Sequence, residues 1–193
     1  MEERSQPGRG GAYHSAFFIE GSREEAAYFA ELRQRLGDEA VEQLLRNREL
    51  MRHPRPLMDD ERSVVEAAIT PVLDDLRAAG AIVPEIRYES WQDRESDYLH
   101  AFIGPVGQST GMGVSVALAS SQAERLARLA GQVQEWEVEE LCALGRPATW
   151  PECPTHPGTH PLEPVVGDDS AALWRCPRSG LPVCAIGELR QRP

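Results

Sequence analysis

Lysine is missing from this 193-residue chain: all 20 basic residues are arginine. Asparagine is almost missing too, with Asn47 alone, while alanine, glycine and proline are plentiful. That partition reads as the codon usage of a GC-rich bacterial genome rather than as selection for arginine chemistry. Positive charge is short overall, because 31 acidic residues leave a formal net charge of −11. Such a balance disfavours a general attraction to nucleic acid or to an anionic membrane surface. No apolar run approaches the roughly 20 residues that a membrane-spanning helix needs. The opening Met1-Glu-Glu-Arg-Ser5 carries acids where a secretory leader has a basic region, and no apolar stretch comes after it. The expected setting is the cytoplasm. Thiols stay reduced there, and clustered cysteines serve as metal ligands more often than as disulfides.

Signatures of catalysis are also lacking. Gly104-Pro-Val-Gly107-Gln-Ser-Thr-Gly111-Met-Gly113 has no Lys-Ser/Thr pair and leads into a strand, so it reads as a hairpin loop rather than a phosphate loop. Asp93-Arg-Glu95-Ser-Asp97 meets Tyr98 where a calcium loop needs glycine and Gly104 where its bidentate glutamate belongs. No Gly-x-Ser-x-Gly occurs, and Ser109-Thr110 has no base partner. His100 lies in a strand pattern and reads as structural. Cys142, beside Leu141 and Leu144, reads as a buried small apolar residue. Glu135, Glu137, Glu139 and Glu140 read as a solvated acidic face.

What is present is alternation of two periods. Residues 1–12 are polar and glycine-rich and are expected to be disordered; 13–19 form a short strand or arm. Ser22-Arg-Glu-Glu25 is a capping box opening a helix with Phe29, Leu32 and Leu36 on one face, ending at Gly37. Asp38 caps a second helix, striped by Val41, Leu44, Leu45 and Met51, that stops at His53-Pro54. A third helix spans about 60–79, with Val65, Ile69, Val72, Leu76 and Ala79 on its face. Pro71 should bend it, unless Thr70 caps a fresh segment. Strand-like alternation comes next at 82–91, 98–103 and 114–118, which fits an antiparallel meander. Ser121-Gln-Ala-Glu124 opens the longest helix, to about 144, whose stripe of Leu126, Leu129, Val133, Trp136 and Leu141 packs on the sheet. The expected class is α+β: an α+β domain over 13–147 and a β appendage over 148–193.

The appendage holds the one constellation whose residue types imply chemistry. Trp150-Pro-Glu-Cys153-Pro-Thr-His156-Pro-Gly-Thr-His160-Pro-Leu162 is followed by Trp174-Arg-Cys176-Pro-Arg-Ser179-Gly180. A knuckle is a tight turn presenting two ligands a few residues apart. Cys153-Pro-Thr-His156 has that form; Cys176-Pro-Arg-Ser179-Gly180 has it with serine in place of the second ligand. Strand-like runs at 162–166, 171–175 and 182–186, with a turn at Gly167-Asp-Asp-Ser170, make the connection a hairpin. A fourth ligand comes from His160 or Cys184. Cys184 falls about three positions down the hairpin, roughly 10 Å from Cys176, which favours the set Cys153, His156, His160 and Cys176.

Residues 150–189 resemble a zinc ribbon, the rubredoxin-like family of small metal-stapled sheets; Ser179 departs from that pattern. The segment also resembles actinobacterial proteins reading W-P-x-C-P-x-H-P, then W-x-C-P, then I-G-x-L, here Ile186-Gly-Glu-Leu189, a resemblance that carries no activity. The zinc-ribbon resemblance implies structural zinc. A ribbon without metal, held by Trp150, Trp174, Leu181, Val183 and Ile186, is the other reading. The expected function is non-enzymatic binding of another protein, as an adaptor, regulator or chaperone-like factor. The alternatives are a metal-dependent hydrolase, with three protein ligands, a water and Glu152 or Glu163 as general base, and redox sensing through Cys153 and Cys176.

Overall fold

The computed structural model describes residues 23–91 and 96–190. The tail at 1–12, the run at 13–19, the Ser22 cap and most of the acidic loop at 93–97 lie outside the described residues, as does the Met51 side chain. The chain divides into two compact units, Met1–Arg46 and Asn47–Pro193.

Helices α1 (Arg23–Leu36) and α2 (Asp38–Arg52) have the expected bounds. One residue, Gly37, links them at φ 89, a backbone state that favours glycine. Its N–H closes α1 on the Arg33 carbonyl at 2.9 Å, and Arg33 reaches Glu42 of α2 at 3.4 Å. Among the described side chains of the two expected stripes, only Val41 is fully buried. Phe29, Leu32 and Leu45 are half-buried, whereas Leu36 and Leu44 stay 55% and 45% exposed.

The second unit opens with a pairing that no sequence signal announced. Strand β1 (Arg55–Pro56) lies antiparallel to β3 (Glu89–Ser90). Arg55 forks onto Glu61 at 2.7 and 2.8 Å. Helix α3 (Asp59–Ala79) then runs unbroken through Pro71 and ends on Gly80 at φ 63. Thr70 opens no new segment; its hydroxyl donates to the Glu66 carbonyl at 2.7 Å. Helix α3 tolerates the lost proline N–H because the buried row Val65, Ala68, Ile69, Val72, Leu76 spans both sides of it. Ala79, expected on that row, is exposed.

The expected meander is present, but its first strand is shorter than the expected 82–91, because Glu89–Ser90 pairs with β1 instead: β2 (Glu85–Arg87), β4 (Tyr98–Gly104) and β5 (Met112–Ala117) form one antiparallel sheet in the order β2-β4-β5. Leu99, Ala101 and Ile103 alternate into the core with Val114 and Val116. On the opposite face Trp91 covers His100 and Phe102 at ring separations of 4.4 and 4.6 Å. The indole lies against Gly113, where any Cβ would collide with the ring. The open edge of the sheet is closed by a side chain. Gln132 accepts the Ser115 N–H at 2.8 Å and donates to the Ser115 carbonyl at 3.0 Å, standing in for a further strand.

Helix α4 (Gln122–Ala143) has the predicted capping box. The Ser121 N–H donates to Glu124 at 2.8 Å and the Glu124 N–H to the Ser121 hydroxyl at 3.3 Å. Two expectations about this helix fail. Cys142 is exposed, not buried. Glu137, assigned to a solvated acidic face, is fully buried beside Leu141 and Trp136. At 3.6 residues per turn it lies four positions after Val133 and joins the buried row.

The C-terminal sheet is antiparallel, in the order β6 (Glu163–Val166), β7 (Ala172–Arg175), β8 (Pro182–Ala185). The turn at Gly167–Ser170 is closed by the Gly167 N–H on the Ala171 carbonyl at 2.8 Å. This sheet rests on α4, and Leu162, Trp174 and Ile186 enter the same core as Leu76, Ile103 and Val133. The architecture is α+β, four helices with three small antiparallel sheets among the described residues.

Candidate metal centre

Two turns meet at the far end of the C-terminal sheet. The first is the loop from Trp150 to Leu162. Its base is closed by the Leu162 N–H on the Pro151 carbonyl at 2.8 Å. From α4, Gln134 donates one side-chain amide to both the Trp150 and Leu162 carbonyls, at 3.0 and 2.6 Å. The Trp150–Pro151 peptide is cis. Inside the loop the His156 N–H turns back on the Cys153 carbonyl at 3.2 Å, and Glu152 takes the Gly158 N–H at 2.7 Å. The second turn begins as β7 ends. The Cys176 N–H donates to the Leu181 carbonyl at 3.0 Å, and the N–H of Gly180, a residue at φ 71, donates to the Cys176 carbonyl at 2.8 Å.

These turns bring together Cys153, His156, His160 and Cys176, with one ligand atom from each, all within 4.8 Å of one another. His156 Nδ1 lies 3.5 Å from both sulfurs. His160 Nε2 lies 3.8 Å from Cys176 Sγ, while its Nδ1 lies 2.9 Å from the Pro161 carbonyl. With a proton on Nδ1 donated to that carbonyl, the Nε2 lone pair faces the cluster; such outer bonds orient metal-binding imidazoles. Both cysteines are buried and both histidines half-buried. The cluster can hold a metal ion.

Ser179 has a role that its place in the sequence pattern concealed. Its N–H donates to the Cys176 sulfur at 3.5 Å, and its hydroxyl accepts the Leu181 N–H at 3.3 Å. The Ser179 hydroxyl and N–H beside the sulfur, with help from the Arg178 N–H and Cys153, lower the Cys176 pKa. The thiolate is the form that binds metal.

Cys184, the other candidate fourth ligand, is not in the cluster. It pairs with Trp174 across β7 and β8. Burial, with Asp75 and Glu188 nearby, pushes its thiol up to about 11. The two carboxylates considered as general bases are engaged elsewhere. Glu152 holds Gly158, and Glu163 pairs with Arg175 at 2.7 Å. Of the apolar residues expected to hold a metal-free ribbon, Trp150, Trp174 and Ile186 are buried, Val183 is half-buried, and Leu181 is 66% exposed at the tip of the second turn.

Asp75 carries no sequence signal, yet it ties α3 to this region. Fully buried, it accepts from Trp174 Nε1 at 2.7 Å, from the Gly187 N–H at 2.7 Å and from the Leu189 N–H at 2.8 Å. Trp174 in turn meets Trp150 edge-on at 5.6 Å, so α3 positions the strand that delivers Cys176. An aspartate in the middle of an amphipathic helix is indistinguishable in sequence from its solvated neighbour Asp74. Comparison with protein-family models, with curated proteins and with solved structures finds no match to this chain.

Proposed function

We propose that Cys153, His156, His160 and Cys176 hold one structural zinc ion, and that the chain acts without catalysis by binding another protein. One observation carries the zinc reading. Tetrahedral zinc, with bonds of about 2.3 Å to sulfur and about 2.0 Å to nitrogen, sets sulfur–nitrogen edges of about 3.5 Å. Three of the six separations here are 3.5, 3.5 and 3.8 Å, and all six lie within 4.8 Å. Two thiolates and two imidazoles complete the tetrahedron, leaving no position for substrate or an activated water. Paired turns over a three-stranded antiparallel sheet also suit the zinc-ribbon likeness of 150–189.

The protein-binding reading is supported by surface chemistry. Leu36 and Leu44 are 55% and 45% exposed on α1 and α2; they support a protein partner to the extent that they join one contiguous apolar patch. The charge of −11 weighs against nucleic acid.

Elemental analysis of purified protein tests the metal. We expect one zinc per chain that survives dialysis, and cobalt substitution giving the visible bands of a tetrahedral two-sulfur, two-nitrogen site. Cys176→Ser should lose the metal. A wild-type protein purified without metal, or a coordinated water exchanging at the cobalt, would refute the structural-zinc assignment.

A further inference from the structure

The turn that carries Cys153, His156 and His160 and the turn that carries Cys176 also build an exposed face. Their four ligand atoms lie within 4.8 Å of one another. The turns therefore adjoin, and their outer residues, 154–159 and 177–182, make one continuous surface at the end of the C-terminal sheet. Every one of these residues but His156 is exposed.

Composition sets the face apart. Residues 153–160 and 176–182 hold one formally charged side chain, Arg178, in a chain that is 26% charged. Leu181 is 66% exposed, and Pro154, Pro157, Pro177 and Pro182 are exposed with it. Few charges beside exposed apolar side chains mark the centre of a protein interface rather than free surface. The N–H groups of Gly158, Thr159, Ser179, Gly180 and Leu181 are already bonded within or beside the turns, and proline has none. Covering the face therefore strands few donors. Ordering costs little too, because those bonds fix the turns before any partner arrives.

Two features point to a copy of this chain as the partner. A chain of net charge −11 repels itself, and this face, free of acidic residues across both turns, is where two copies approach with least repulsion. Its edges are also self-complementary. Arg178 is exposed on the second turn, and the exposed Glu152 stands at the foot of the first, its carboxylate held to that turn by the Gly158 N–H at 2.7 Å. A two-fold axis sets each arginine against the glutamate of the other copy.

We propose that the chain forms a symmetric dimer through this face, with Leu181 of each copy packed near the axis and Arg178 paired with Glu152 of the other copy. The inference rests on the protein-binding reading and names its surface and its partner.

Sedimentation equilibrium of the full chain as purified, from about 5 to about 500 µM, tests it. A face of about a dozen residues is roughly half of what a standard interface uses on each side, so a reversible dimer with Kd on the order of 10–100 µM is expected. Leu181→Asp and, separately, Arg178→Glu should weaken it at least about tenfold. Both side chains are exposed, and the bonds these residues make in the turn come from backbone atoms, so zinc content and melting temperature should stay at wild-type values. Leu44→Asp on α2 should leave the dimer intact. A chain that stays monomeric over the whole range overturns the second copy as partner. A dimer that survives both variants, or that Leu44→Asp breaks instead, overturns this face and leaves the protein-binding reading standing. Zinc assayed in the same samples keeps the metal assignment separate from either result.

Discussion

Asp75 and Glu137 are both fully buried carboxylates, but their surroundings differ. Three donors surround Asp75, whereas Glu137 has the Ile82 N–H alone. Asp75→Ala would strand the Trp174, Gly187 and Leu189 donors in the core. Leaving several buried groups unpaired predicts a loss of about 3–5 kcal/mol, measurable by urea unfolding, with Asp75→Asn losing less because one acceptor remains. Burial raises the pKa of both groups. A carboxyl raised in the folded state holds its proton more tightly there. Its contribution to stability therefore grows as pH falls through the folded value toward the ordinary range near about 4.3, and fades as pH rises above it. Glu137→Gln removes one such site. The stability of the wild type relative to the variant should rise on acidification from neutral pH. Protonation of the Cys and His ligands affects both proteins alike and cancels in the difference; a pH-independent difference would show that Glu137 does not titrate in this way.

At the scale of elements, α4 does more than cover a sheet. Gln132 closes the edge of β5, and Gln134, two residues on, clasps both ends of the loop that carries Cys153, His156 and His160. Gln132→Ala should expose the Ser115 N–H and carbonyl on an open edge strand. The expected outcome is a loss of about 1–2 kcal/mol and concentration-dependent association, monitored by light scattering. The cap at Ser121 makes a separable contribution. Ser121→Ala should cost about 1 kcal/mol in thermal unfolding and leave the metal content unchanged.

For the molecule as a whole, the decisive feature is that the C-terminal sheet and the central sheet share one core across α3 and α4. Cys153 and Cys176 are themselves members of that core, so the cluster is joined to it directly. Chelation should therefore lower the melting temperature of the whole 47–193 unit in a single transition, because the ligand-bearing turns cannot loosen without releasing Trp174 from Asp75. Calorimetry before and after a strong chelator checks this; a separate early transition confined to the last 40 or so residues would contradict it.

Elements legible from the sequence are those specified by local rules. The bounds of α1 to α4, the meander, the C-terminal strands and the Ser121 cap come from periodicity, turn residues and capping chemistry, which act over a few neighbours. Cys153 and His156 stand out by the same local logic of knuckle spacing, and hairpin register favours His160 over Cys184 beside Cys176; the fold brings those four together. What tertiary structure decided lies in contacts between residues far apart in the chain. Asp75 meets Trp174 99 positions away and Glu137 meets Ile82 55 positions away, and a helical carboxylate looks alike in sequence whether it faces water or core. The pairing of β1 with β3, the continuity of α3 through Pro71, the exposure of Cys142 and Leu181, and the bond from the Ser179 N–H to the Cys176 sulfur were likewise settled only by folding. Each depends on which surface the rest of the chain brings up against it, and no local pattern carries that information.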